Sequence, residues 1–109
     1  MNDHYLLIAS RDPYTHVAAL RCFELAAQLA GEGHRVTVFL VQNGVLPARH
    51  GASAGALEAL ARGGIRVLAD EFSLRERGIE PRRLAAGVEP APIDAVIEAL
   101  EDGAKALWH

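Results

Sequence analysis

Residues 65–81, Ile-Arg-Val-Leu-Ala-Asp-Glu-Phe-Ser-Leu-Arg-Glu-Arg-Gly-Ile-Glu-Pro, decide the fold class of this chain. The run opens as a strand, because Ile65, Val67 and Leu68 are apolar and Gly63-Gly64 break whatever precedes them. At Asp70-Glu71 the polarity flips, so the strand carries two adjacent carboxylates to its own carboxyl end. Ser73 is suited to cap a short helical turn over Leu74 to Arg77, which Gly78 stops and Pro81 keeps from resuming. Ligands of open α/β sheets collect outside the carboxyl ends of strands. A site in this chain is therefore expected to include Asp70, Glu71, Ser73, Arg75 and Arg77.

Outward from that run, strands and helices alternate. Tyr5 to Ala9 is unbroken apolar sequence, as expected of a parallel strand covered on both faces, and its exit loop holds Asp12 and His16. That loop carries neither the G-x-G-x-x-G nor the Walker A pattern. A helix follows from about Thr15 to Gly31. Its only polar stripe is Arg21, Glu24 and Gln28, an apolar excess that predicts a second buried contact such as another subunit. Arg35 to Val41 is a β-branched strand ending in a turn at Asn43-Gly44. A weaker helix spans about Ser53 to Arg62, with Leu57, Leu60 and Ala61 inward.

Past Pro81, Leu84 to Val88 reads as a short edge strand before Pro90 and Pro92. Pro92 opens an amphipathic helix with Ile93, Val96, Ile97 and Leu100 on one stripe, opposite Asp94, Glu98 and Glu101. Gly103 ends it, and Ala104 to Trp108 reads as a last strand. The alternation predicts a three-layer α/β/α sandwich with a mostly parallel sheet, in one domain spanning residues 1–109.

Composition narrows the function classes. Half of the residues are hydrophobic but only 6% aromatic, so the core is aliphatic. The net charge of −3 and the lack of a basic block argue against nucleic acid. The apolar runs are too short to span a bilayer, and Met1-Asn2-Asp3-His4 lacks the basic start of a signal peptide, so a cytoplasmic protein is expected. One cysteine permits no internal disulfide, and no histidine pair has metal-ligand spacing; neither metal nor cofactor is expected. Cys22, between Arg21 and Phe23 in mid-helix, reads as a small buried hydrophobe.

A strand followed by Ser73-Leu74-Arg75-Glu76-Arg77-Gly78-Ile79-Glu80-Pro81 resembles the DsrE/DsrF-like family of small sulfur-relay subunits, and Gly44-Val45 after the second strand matches as well. In the sulfur-carrying members of that family a cysteine stands three residues before the serine; here the position is Asp70. The resemblance implies a five-stranded DsrE-like domain assembled into trimers or hexamers, or into hetero-oligomers with other DsrE-like subunits. It also implies sulfur passing to a TusA-like carrier. With Asp70 in place of cysteine, the expected role is a non-catalytic subunit binding a partner or small ligand at the strand-end pocket, with Asp12, His16 and Asn43 as further candidates. The alternative is a persulfide carrier working through Cys22 or a partner's thiol.

Overall fold

The computed structural model describes residues 3–12, 17–49 and 55–108. Five strands, β1 (His4–Ala9), β2 (Arg35–Leu40), β3 (Arg66–Asp70), β4 (Val88–Ala91) and β5 (Lys105–Trp108), form one sheet in the order β4-β3-β2-β1-β5. Every pairing is parallel. Among the described residues four helices connect them: α1 (Val17–Gly31), α2 (Gly55–Arg62), α3 (Glu71–Glu76) and α4 (Asp94–Glu101). Short 3-10 helices cover Gln42–Ala48 and Pro81–Arg83. The expected α/β/α sandwich is therefore observed. No described helix is long and apolar enough to cross a membrane.

The strand order explains the layers. From β1 to β4 the chain steps in one direction across the sheet, and right-handed crossovers then place the connecting helices on one face. The return from β4 to β5 runs the opposite way and carries α4 to the other face. Two cores result. Cys22, Phe23 and Ala26 of α1 and Leu57 and Leu60 of α2 pack on Leu7, Val38, Leu40 and Val67. Val96 of α4, flanked by Ala95 and Ala99, packs on Leu6, Ile8, Phe39 and Leu68.

Three expectations need correction. Asp70, not Ser73, caps α3, and the helix starts at Glu71 rather than Leu74. The fourth strand is Val88–Ala91 rather than Leu84 to Val88; Leu84 makes only an isolated antiparallel bridge to Arg49. Pro90 is tolerated inside β4 because β4 is an edge strand, hydrogen-bonded to β3 alone. The stripe on α4 is also turned outward: Ile93, Ile97 and Leu100 are about half exposed, and only Val96 is buried. This helix docks through its small residues, which lets it lie close to the sheet and leaves the large ones outside.

The strand ends are drawn together by Gly44. Its position in the 3-10 helix brings the backbone against the carbonyl of Ala9, to which Val41 N also donates at 2.9 Å. No side chain fits there, so β1 and the exit of β2 meet in backbone contact.

Candidate functional site

Asp70 ends β3 on the face that α4 covers, since its register partner Ala91 belongs to that core. The residue is only 8% exposed. Its Oδ2 accepts from Ser73 N at 3.0 Å and from Ser73 Oγ at 2.7 Å, satisfying an amide that the start of α3 would otherwise leave unpaired. Ser73 Oγ in turn accepts from Gln42 N at 2.8 Å, so the ends of β2 and β3 share one buried hydroxyl. Gln42 makes that bond from a left-handed backbone, φ 53°, the one positive φ outside glycine among the described residues. Asp70 Oδ1 has no partner among the described residues.

Beside Asp70 lies an open cleft of about 420 Å³, within the range of ligand pockets. Asp70, Glu71 and Arg75 line it together with the apolar Phe72, Pro92 and Ile93. Phe72 is 60% exposed, unusual for a phenylalanine with a core nearby. The cleft thus offers one buried acceptor, an acid and a guanidinium at its rim, and apolar walls from two segments.

The expected site residues divide into two groups. Asp70, Glu71 and Arg75 meet at the cleft, and Ser73 sits behind Asp70, buried. Arg77 turns elsewhere: Nε and Nη2 donate to Asn43 Oδ1 at 3.3 and 3.1 Å, and Nη1 donates to Ser73 O at 3.2 Å. Asn43 is therefore a brace for Arg77 and does not line the cleft. Asp12 is half-buried in the β1 exit and is not among the lining residues. His16 lies outside the described residues. Sequence reasoning missed Phe72, Pro92 and Ile93 as walls, although an apolar Phe72 inside Asp-Glu-Phe-Ser is the available signal.

The single thiol is remote from this cleft. Cys22 is fully buried in the α1-side core, and burial pushes its pKa up to about 11. Among the described residues no group of three His, Cys, Asp or Glu is placed to hold a metal.

A model of the DsrE/DsrF-like family matches residues 3–108. Among curated proteins none matches the chain. The fold is similar to that of the ychN protein of E. coli, with a TM-score of 0.88 at 19% identity over all of both chains. It is similar also to a protein of unknown function from Methanobacterium thermoautotrophicum, with a TM-score of 0.86 at 18% identity over 99% of this chain and 100% of that one. A conserved protein of unknown function from Bacteroides thetaiotaomicron gives a TM-score of 0.74 at 17% identity, covering 98% and 95% of the two chains. At these identities the likeness concerns the fold.

Proposed function

The chain belongs to the DsrE/DsrF-like family, and from that premise we propose that it is a sulfur-relay-related subunit that carries no persulfide itself. It binds a partner or small ligand at the Asp70 cleft. One observation carries this reading: the strand end where the sulfur-carrying members place a cysteine is occupied by a buried carboxylate already engaged in capping α3. Oxygen there gives sulfane sulfur no thiolate to attach to. The cleft suits a hydrogen-bond donor set in an apolar body, meeting Asp70 Oδ1 while its remainder lies against Phe72, Pro92 and Ile93.

Oligomerisation belongs to the same proposal. The half-exposed Ile93, Ile97 and Leu100 of α4, and Trp108 at 68% exposure on β5, support a face that other subunits cover. A TusA-like carrier is the partner the family resemblance implies. Sedimentation equilibrium is expected to give a mass above the monomer's 11.7 kDa, and a clean monomer at micromolar concentration overturns that part.

The test of the main reading is intact mass after treatment with a persulfide donor. Wild type is expected to gain nothing and Asp70→Cys to gain one sulfur, Arg75 beside the cleft favouring the thiolate. A sulfur gained by wild type and absent from Cys22→Ser moves the chemistry to α1 and defeats the proposal.

A further inference from the structure

Behind α3, away from the Asp70 cleft, lies a second cavity of about 270 Å³ lined by Arg49, Arg77, Gly78, Ile79, Glu80 and Arg83. It sits where the end of the 3-10 helix Gln42–Ala48, the glycine turn after α3 and the 3-10 helix Pro81–Arg83 converge. The Arg49–Leu84 bridge and the bond from Ala85 N to Ala48 O, 2.7 Å, fix two of these segments against each other. Three of the chain's eleven basic residues line this one cavity of a protein whose net charge is −3, and a fourth, Arg82, pairs with its Glu80.

The guanidiniums are not consumed by one another's neighbours. Arg77 is held by Asn43 and by Ser73 O, an arrangement that uses one hydrogen on each of its three nitrogens and leaves one on each terminal nitrogen. Arg49 spends only Nε, on Leu46 O at 3.3 Å. The Arg83 side chain has no partner among the described residues. Two carboxylates stand nearby. Glu80 is held by Arg82 at 2.6 Å, and Glu76 lies 4.0 Å from Arg77. Of the charged side chains that line the cavity, three are positive and one, Glu80, is negative.

We propose that this cavity binds a phosphate- or sulfate-class oxyanion, free or carried on a small molecule. Guanidinium forks match the paired oxygens of such a group, and a concave cationic wall concentrates the field on it. Arg77 supplies the fixed charge and sets where the anion sits. Arg49 and Arg83, on the two facing segments, close around it. The Glu80–Arg82 pair tempers the site, because freeing Glu80 sets a carboxylate against the anion. Its volume admits the oxyanion with a modest appendage, not a nucleic-acid backbone. The cavity and the Asp70 cleft have no lining residue in common, so oxyanion binding is independent of the role of that cleft.

The experiment is a titration of the 15N-labelled protein with inorganic phosphate and then sulfate, with chloride at equal ionic strength as reference. Saturable shifts are expected at the amides of Gly78 and Ile79 with phosphate or sulfate and not with chloride. Arg83→Ala is expected to weaken the affinity about tenfold, the loss of one charge-assisted contact, and Arg49→Ala/Arg83→Ala to abolish saturation. Glu80→Gln is expected to tighten binding. These three positions are exposed, so the fold survives the changes, which the unshifted spectrum outside the cavity verifies. Wild type that shows no saturable phosphate response, or a double variant that saturates like wild type, overturns the proposal. The Asp70 variants leave this titration unchanged, so failure here is distinguishable from failure of the sulfur reading.

Discussion

Replacing Asp70 tests whether the strand-end carboxylate holds the architecture that it was expected to use chemically. Asp70→Ala removes the acceptor of Ser73 N and Ser73 Oγ at once. Loss of an N-cap costs about 0.5–2 kcal/mol. A hydroxyl left without its acceptor costs a further ~1–3 kcal/mol when dry. Here the low end applies, because the Asp70 side chain that stands between Ser73 and the open cleft is the group removed, so in the variant water can take its place. The expected loss is about 2–3 kcal/mol, a large share of the ~5–15 kcal/mol typical of a domain. Asp70→Asn keeps an acceptor oxygen and loses only the charge assistance, so about 0.5–1 kcal/mol is expected. Urea unfolding at one fixed protein concentration measures both, since any association makes the midpoint concentration-dependent. With a slope of about 1–2 kcal/mol per molar urea, Asp70→Ala moves the midpoint by roughly 1–3 M. A double-mutant cycle with Ser73→Ala isolates the pair and is expected to return a coupling of about 1–2 kcal/mol. If Asp70→Ala stays within ~0.5 kcal/mol of wild type, or the cycle is additive, the carboxylate is not acting as the cap and the reasoning fails.

Three further outcomes follow from single positions. Gly44→Ala drives a methyl onto the Ala9 carbonyl, with the Ala9 carbonyl carbon 2.9 Å away, and backbone cannot yield as a side chain does. A loss of about 3 kcal/mol and a Tm lower by ~10–20 °C are expected, and a Tm within ~3 °C of wild type refutes the close approach. The His4 pKa is lowered, first by burial and then by Arg35 and Arg66, with Asp102 opposing. Its neutral form therefore contributes stability that is full above the unfolded value of 6.5 and is lost as pH falls from there toward the folded value. The fall in urea midpoint between pH 7.5 and 5.5 is expected to shrink in His4→Gln; an identical fall in the variant rejects the assignment. Cys22, fully buried with its pKa raised, is expected to react with a thiol probe far more slowly folded than in denaturant, and Cys22→Ser to cost about 1–3 kcal/mol. Equal rates in the two states contradict that.

The elements legible in the sequence are those whose signal is local. The unbroken apolar runs of β1 and β3 and the glycines after each helix place strands and stops to within a residue or two. What was misread was a choice between equivalents. Asp and Ser cap helices equally well, so the sequence Asp-Glu-Phe-Ser permits either start, and the length of β3 decides for Asp70. Periodicity likewise finds the stripe on α4 without saying which side meets the sheet: Ala95 and Ala99 lie close enough to Val96 to compete with Ile93 and Ile97 for the inward position. The cleft itself was half legible. Its polar floor is contiguous in sequence, whereas Pro92 and Ile93 arrive only because β4 pairs with β3 and ends beside Asp70.

The geometry of the sheet also weighs the two sulfur readings against each other. Cys22 belongs to the core beneath α1, among Leu7, Val38 and Phe23, while Asp70 and its cleft open on the face that carries α4. A strand places alternate side chains on opposite faces, so the backbone of the sheet stands between the thiol and the cleft. No rotamer change brings Sγ through it. A persulfide formed on Cys22 would need α1 to lift from β1 and β2, exposing a core that includes Phe23 and Ala26, and it would then emerge on the wrong side for any partner docked at Phe72 and Ile93. Burial compounds the obstacle, because a thiol with a pKa of about 11 is almost wholly protonated at neutral pH and the thiolate is the nucleophile. On the sulfur-relay reading proposed above, sulfur is therefore expected to reside on another chain's thiol, with the Asp70 cleft meeting that chain or its cargo through oxygen and apolar contact.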